Sequence, residues 1–295
     1  MIERKVPSPV LPLHLFKNWV VTNSNLVGFL MNAGMMGAMM YLPFFVQGVK
    51  GMSPTQSGFI NMPMSIMMVI LSGIVGRWMS KSGKYKNYAI FGIVFMLGGM
   101  LMMAFMNSIP MAIASMCVFG VGLGLGMPVF TLAAQNAVSP SQLGVVTATS
   151  TLFRNIGGTI GISIFGSIMG TTLKKKLTGA VASGDSVDFS QLTAEQSAQL
   201  MPHLDPQLLL NQPKLAEVEQ AMPADLKNTF GQMMDMLRSV LGDTLSVVFL
   251  SGAALLTLAL LLVFFMREIP LRSATKSETS VKGPGVKSTN QTQEA

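Results

Sequence analysis

No aspartate or glutamate occurs between Glu3 and Asp185, a gap of some 180 residues. A water-soluble fold needs carboxylates on its surface, so a gap of that length excludes most soluble architectures. A bilayer explains it, because a charge at the centre of a membrane helix costs roughly 2.5–3.5 kcal/mol on insertion scales. Composition points the same way. Half of the residues are hydrophobic and 11% are charged, against about 25% charged in an ordinary soluble domain.

A helix crossing the hydrocarbon needs about 20 mainly apolar residues. Six stretches reach that length: A at 25–47, B at 55–79, C at 88–106, D at 111–135, E at 145–170 and F at 244–266. Ser53 and Pro54 precede B as N-cap and first helical residue. The expected fold is all-α, a membrane protein with a five-helix bundle over 25–170 and a sixth span over 244–266. Residues 1–24 form a lead-in, 171–243 a long loop, and 267–295 a tail rich in Ser, Thr, Lys and Gly that reads as disordered.

The net charge of +7 does not indicate nucleic acid, because the cations cluster at the ends of apolar runs. The positive-inside rule and anionic headgroups account for them. With the amino terminus cytoplasmic, Arg4, Lys5, Lys17, Arg77, Lys81, Lys84, Lys86 and the cations after span F all lie inside. Lys50 is then the one cation of the short outer loops. Both termini are thus expected in the cytoplasm. No signal peptide is expected, since 1–12 lacks an apolar core. The long outer loop holds nine of the thirteen acids. After Pro223, Leu226, Phe230, Met233, Leu237 and Val240 recur at helical spacing and predict an amphipathic helix leading into F.

Cys117 is the single cysteine, so neither an internal disulfide nor a cysteine metal site is available. His14 and His203 are isolated and lie outside the spans. With no nucleophile, acid–base pair or metal cluster, no enzymatic activity and no cofactor are expected. Glycines four apart (Gly120/Gly124, Gly122/Gly126, Gly157/Gly161 and Gly166/Gly170) form small-residue faces on D and E that allow close helix packing. A second reading has these faces and Pro128 allow the helices to rock. The 27 methionines suit a promiscuous apolar surface or simple core filling.

Arg154 is the one charge well inside a predicted span, about 12 Å along E from its inner end at 1.5 Å per residue. An intramembrane cation calls for a polar partner and an inward-facing position. Only carbonyls, amides and hydroxyls are available as partners within the chain, for example Gln135 or Asn136 at the inner end of D. Asn32, Gln56, Asn61, Gln135 and Asn136 are candidates for lining a transport path, or alternatively for interhelical hydrogen bonds.

The segment joining B and C, Gly76-Arg77-Trp78-Met79-Ser80-Lys81-Ser82-Gly83-Lys84-Tyr85-Lys86, resembles the cytoplasmic loop motif of the major facilitator superfamily. Gly76, Lys81, Gly83, Lys84 and Lys86 match, and Ser80 stands where the motif has Asp. Pro12–Asn18, Tyr41–Gln47 with Ser53-Pro54 and Gly58, and Arg154-Asn155-Ile156-Gly157-Gly158 extend the likeness to the fourteen-helix drug–proton antiporter branch of EmrB/QacA type. The resemblance covers about residues 1–270 and only the last six helices of that branch. It implies the carboxy-terminal half of a proton-coupled exporter of hydrophobic or cationic compounds in a bacterial inner membrane. Its partners would be lipid, substrate, and a missing amino-terminal half or a second copy. The alternative is a membrane remnant or interaction subunit with no transport of its own. The half carrying the family's antiporter signature is absent, and spans A to E contain no acid that could carry a proton.

Overall fold

The computed structural model describes residues 13–83, 85–183, 206–223 and 226–266. Seven α-helices order these residues: α1 (Trp19–Pro43), α2 (Pro54–Ser82), α3 (Lys86–Ala104), α4 (Ile109–Asn136), α5 (Leu143–Ser183), α6 (Gln212–Ala221) and α7 (Lys227–Phe264). All but α6 are long and apolar enough to cross a membrane. The described residues therefore form an all-helical bundle with six candidate spans, as the apolar runs require.

Helix α1 begins at Trp19, six residues before the expected start of span A, and the reason is local. Asn18 is its N-cap, with the side-chain oxygen accepting from the Val20 amide at 3.0 Å. The Asn18 amide also donates to the Ala137 carbonyl at 2.9 Å, tying the start of α1 to the end of α4. The indole of Trp19 and the ammonium of Lys86 donate to the Phe265 and Phe264 carbonyls at 3.2 and 3.0 Å. The starts of α1 and α3 thus satisfy the open carbonyls at the end of α7.

Past Pro43, α1 passes into a π-helical turn, Phe44–Val49. Helix α2 opens with a full capping box, Ser53 and Gln56 each bonding the other's backbone amide. It closes on Gly83 in the left-handed region, φ 66°, whose amide bonds the Met79 carbonyl. That conformation is nearly free only for glycine, so Gly83 has a structural reason in the loop motif. Lys84 lies outside the described residues.

Glycine sets the close helix pairs. A Cβ on Gly92 of α3 would stand 2.8 Å from the Gly126 nitrogen of α4, and one on Gly161 of α5 would stand 2.7 Å from the Ala33 Cα of α1. Gly124 meets Met68 and Leu71 of α2 in the same way. Helix α3 packs on α4 and α7, and α1 on α5 and α7. Helix α2 leans chiefly on α4, and only 17% of its most apolar window is buried, against 61% in α1 and α4. Phe59, Met62, Ile66, Val69 and Ile70 of α2 are all more than half exposed, and Leu152, Ile156, Ile160 and Ile164, four apart on α5, are also exposed.

One element extends further than the span expected for it, and the helix expected after Pro223 is continuous with span F. Helix α5 continues to Ser183 rather than ending near 170, and α7 starts at Lys227. At 1.5 Å per residue α5 is about 60 Å long, twice the hydrocarbon thickness of about 30 Å. No proline interrupts 171–183, and Leu173 and Leu177 pack on the core, so the helix has no reason to stop. Lys176 and Asp243 pair at 3.0 Å and join the projecting parts of α5 and α7. A 3₁₀ turn, Pro206–Leu210, and α6 then seat Leu208, Leu209 and Leu215 on the same outer end. Gln212 donates to the Gln47 carbonyl at 3.2 Å, holding this cap on the π-helical turn.

Candidate functional site

Arg154 lies where α1, α4 and α5 meet. Helix α5 begins at Leu143, so Arg154 stands about 16 Å along its axis. Room for the stem comes from Gly28 of α1, where a Cβ would sit 3.3 Å from the arginine Cγ. The guanidinium reaches toward α4. One terminal nitrogen, Nη1, donates to Thr131 Oγ1 at 3.3 Å and contacts Met127 Sδ at 3.8 Å. The other, Nη2, donates to Thr151 Oγ1 at 3.4 Å.

Both hydroxyls are themselves held. Thr131 donates to the Met127 carbonyl at 3.2 Å and Thr151 to the Thr147 carbonyl at 3.0 Å. Their lone pairs are left to accept from the arginine. Asn32, 6% exposed, donates to the backbone carbonyl of Arg154 at 2.7 Å and fixes that turn of α5 against α1. Gly158 leaves space for it, since a Cβ there would stand 2.6 Å from the Asn32 nitrogen.

The expected candidates separate into two groups. Arg154 and Asn32 come together. Gln135 lies one step along the α4–α5 seam and donates to Thr147 at 2.8 Å, and Asn136 is half-buried at the end of α4. The guanidinium's partners are the hydroxyls of Thr131 and Thr151, uncharged acceptors of the expected kind, and Gln135 is bonded to Thr147 instead. An arginine stem on α5 meets α4 a full turn earlier, at Thr131, because the two helices run antiparallel. Gln56 is exposed and engaged in the α2 cap. Asn61 is on α2 with its side-chain oxygen buried and unbonded.

Of the loop-motif residues, Gly76 and Lys81 lie in the last turns of α2, Gly83 caps it and Lys86 opens α3. Thr151 was legible in the sequence, three residues before Arg154 and so on the same face. Thr131, Met127 and Gly28 had no sequence signal, because only the packing of three helices brings them to the arginine.

Leu143, Thr147, Ala148, Thr151, Leu152 and Asn155 form an open face of α5 beside this centre. Among the described residues no carboxylate pairs with Arg154. The ion pairs found are Lys176–Asp243 and Arg238–Asp235, both in the outer part of the molecule.

Six membrane-length helices around a polar centre define a polytopic integral membrane protein. The chain belongs to the major facilitator superfamily, whose family model matches residues 2–162. It is 34% identical over 294 residues to the multidrug transporter protein MdtP of Bacillus subtilis, covering 97% of this chain and 53% of that protein. A tetracycline resistance determinant of Streptomyces rimosus is 27% identical over 302 residues, with 96% of this chain and 82% of that one covered. Multidrug resistance protein 3 of Bacillus subtilis is 29% identical over 183 residues, 61% of this chain and 36% of its own length. The chain thus spans about half the length of MdtP. Its relatives are named as transporters and resistance proteins, and the chain is not an enzyme.

Proposed function

We propose that this chain is the carboxy-terminal half of a proton-coupled efflux transporter for hydrophobic or cationic compounds in a bacterial inner membrane, with both termini in the cytoplasm. The observation that carries the reading is the match to MdtP, which uses nearly all of this chain and about half of that transporter. The sparsely covered faces of α2 and α5 support it, since a second six-helix unit would cover them. The exposed methionines Met39 and Met40 of α1 and Met62 of α2 suit apolar substrates of varied shape. No acid lies on the described spans from α1 to α5, so cation recognition and proton carriage fall to the other half.

The test is reconstitution. Proteoliposomes holding this chain alone should show no pH-driven dye efflux, and a co-expressed amino-terminal half of MdtP type should restore it. Robust efflux by the chain alone would overturn its status as a half and favour a self-paired transporter. No efflux with either half supplied would favour the reading of a non-transporting membrane subunit, which the lack of a membrane carboxylate also suits.

A further inference from the structure

The chain enters α1 through a 3₁₀ turn, Leu13–Lys17, whose Leu15 is only 3% exposed. Leu15 belongs to a small apolar cluster apart from the main core, with Val21 of α1, Ala134 of α4, Val138 just past α4 and Val146 of α5. A leucine from outside the bundle thus fills the gap where the ends of three helices meet. Few other contacts hold the turn. Thr22 donates to the Phe16 carbonyl at 2.8 Å, the Asn18 backbone amide to the Leu15 carbonyl at 3.2 Å, and the Phe16 ring lies 5.3 Å from that of Phe153 on α5. A short 3₁₀ turn has poor hydrogen-bond geometry of its own, so its attachment depends on the burial of Leu15 and can be lost locally while the bundle stays folded.

The layer directly inside this cluster is polar. Val21, Asn25, Gly28 and Asn32 share one face of α1, and Val146, Ser150 and Arg154 share one face of α5. Val21 and Val146 lie in the Leu15 cluster, Gly28 faces the Arg154 stem, and Asn32 bonds the Arg154 carbonyl. Asn25 and Ser150 therefore stand at one level, between the apolar cluster and the arginine. Asn25 is 2% exposed, yet neither its side-chain nitrogen nor its oxygen has a hydrogen-bond partner, and the buried hydroxyls of Ser24 and Ser150 have none either. Orphaned donors and acceptors are costly in a sealed apolar seam and cost little where water reaches them. An asparagine and two serines at this level suit a seam that opens to water, not one that stays shut.

We propose that the Leu13–Lys17 turn is a plug on the end of the seam between α1, α4 and α5. With Leu15 seated the seam is shut. With Leu15 withdrawn, water enters as far as Ser24, Asn25 and Ser150, one helical turn short of Arg154. Asn18 is the hinge: its side chain keeps the Val20 amide and the Ala137 carbonyl, which tie α1 to α4, while the turn before it lifts. The inference concerns access to the seam, and it rests neither on transport nor on a second half.

The experiment uses the full chain carrying Cys117→Ser and Ser150→Cys in nanodiscs, where reagent reaches both ends of the bundle. The thiol introduced by Ser150→Cys is treated with 2-sulfonatoethyl methanethiosulfonate, a charged reagent that arrives only through water, and its rate of modification reads the opening of the seam. Adding Leu15→Ala should raise that rate at least about tenfold, since truncating a buried leucine shifts a local opening equilibrium by that much or more. Ser115→Cys, at a fully buried position of α4 near the opposite end of the bundle, serves as the control. Its rate should be the same with and without Leu15→Ala.

If Leu15→Ala fails to insert, Phe16→Ala is read instead and should raise the rate severalfold; if Ser150→Cys fails, Asn25→Cys carries the thiol. The proposal is overturned if neither plug variant changes the rate. It is equally overturned if the Ser115→Cys thiol speeds up as much, which would mean that the whole bundle has loosened. A third result against it is modification of Ser150→Cys, with Leu15 intact, as fast as that of Asn87→Cys at the exposed start of α3, because the seam would then be open with the plug in place.

Discussion

Single residues decide how closely these helices approach, and glycine is the clearest case. Gly92 and Gly98 both lie on α3, yet they face different surroundings. A Cβ at Gly92 would press on the backbone of Gly126 and Gly122 at 2.8 to 3.1 Å, whereas at Gly98 the nearest atom is a Val118 methyl at 4.0 Å. Gly92→Ala should therefore destabilise the bundle, because backbone cannot yield and overpacking costs roughly 1–3 kcal/mol. Gly98→Ala should be neutral or stabilising by up to about 1 kcal/mol through helix propensity. Thermal unfolding in detergent checks this, and equal midpoints for the two variants would refute it. The small-residue spacing was legible in the sequence, but which glycine touches backbone was not, since that depends on the rotation of each helix about its axis.

At the scale of elements, the outer cap is the part whose stability can be separated from the membrane bundle. Leu209 is fully buried beneath the Pro206–Leu210 turn, and Gln212 bonds the π-helical end of α1. Leu209→Ala removes the main apolar anchor of a short segment. A buried leucine truncated to alanine costs about 2–5 kcal/mol, more than a single 3₁₀ turn and the ten-residue α6 can absorb. Hydrogen exchange over 206–221 should then rise sharply while α3 and α4 remain protected; unchanged exchange in the cap would show that other contacts hold it. By contrast, Asp243→Asn should shift stability by less than about 1 kcal/mol, because the Lys176–Asp243 pair is largely exposed to solvent. A fall in midpoint comparable to that of Leu209→Ala would contradict this.

For the whole molecule, the ties at the two ends make the orientation testable. Asn18–Ala137, Trp19–Phe265 and Lys86–Phe264 gather the starts of α1 and α3 and the ends of α4 and α7 on one side. Lys176–Asp243 and Gln212–Gln47 gather the cap on the other. By the positive-inside rule the first side is expected to face the cytoplasm. In a Cys117→Ser background, a cysteine at exposed Glu219 should react with an impermeant reagent in intact cells, and one at exposed Asn87 should react only after lysis. The reverse pattern would invert the topology.

The sequence by itself determined that this chain is a helical membrane protein with six spans, because hydrophobic length and the exclusion of carboxylates act residue by residue along the chain. It also marked Arg154, since a lone charge in an apolar run stands out whatever surrounds it. Helix ends were less legible. Asn18 caps α1 through a side-chain bond, and α5 runs past 170 because Leu173 and Leu177 find apolar neighbours that the sequence does not display. Only the tertiary structure decided what Arg154 touches. Its partners Thr131, Met127 and Gly28 lie more than 20 residues away along the chain. They reach the guanidinium because glycine contacts fix the rotation and spacing of α1, α4 and α5, and that geometry is a property of the packed helices together rather than of any one of them.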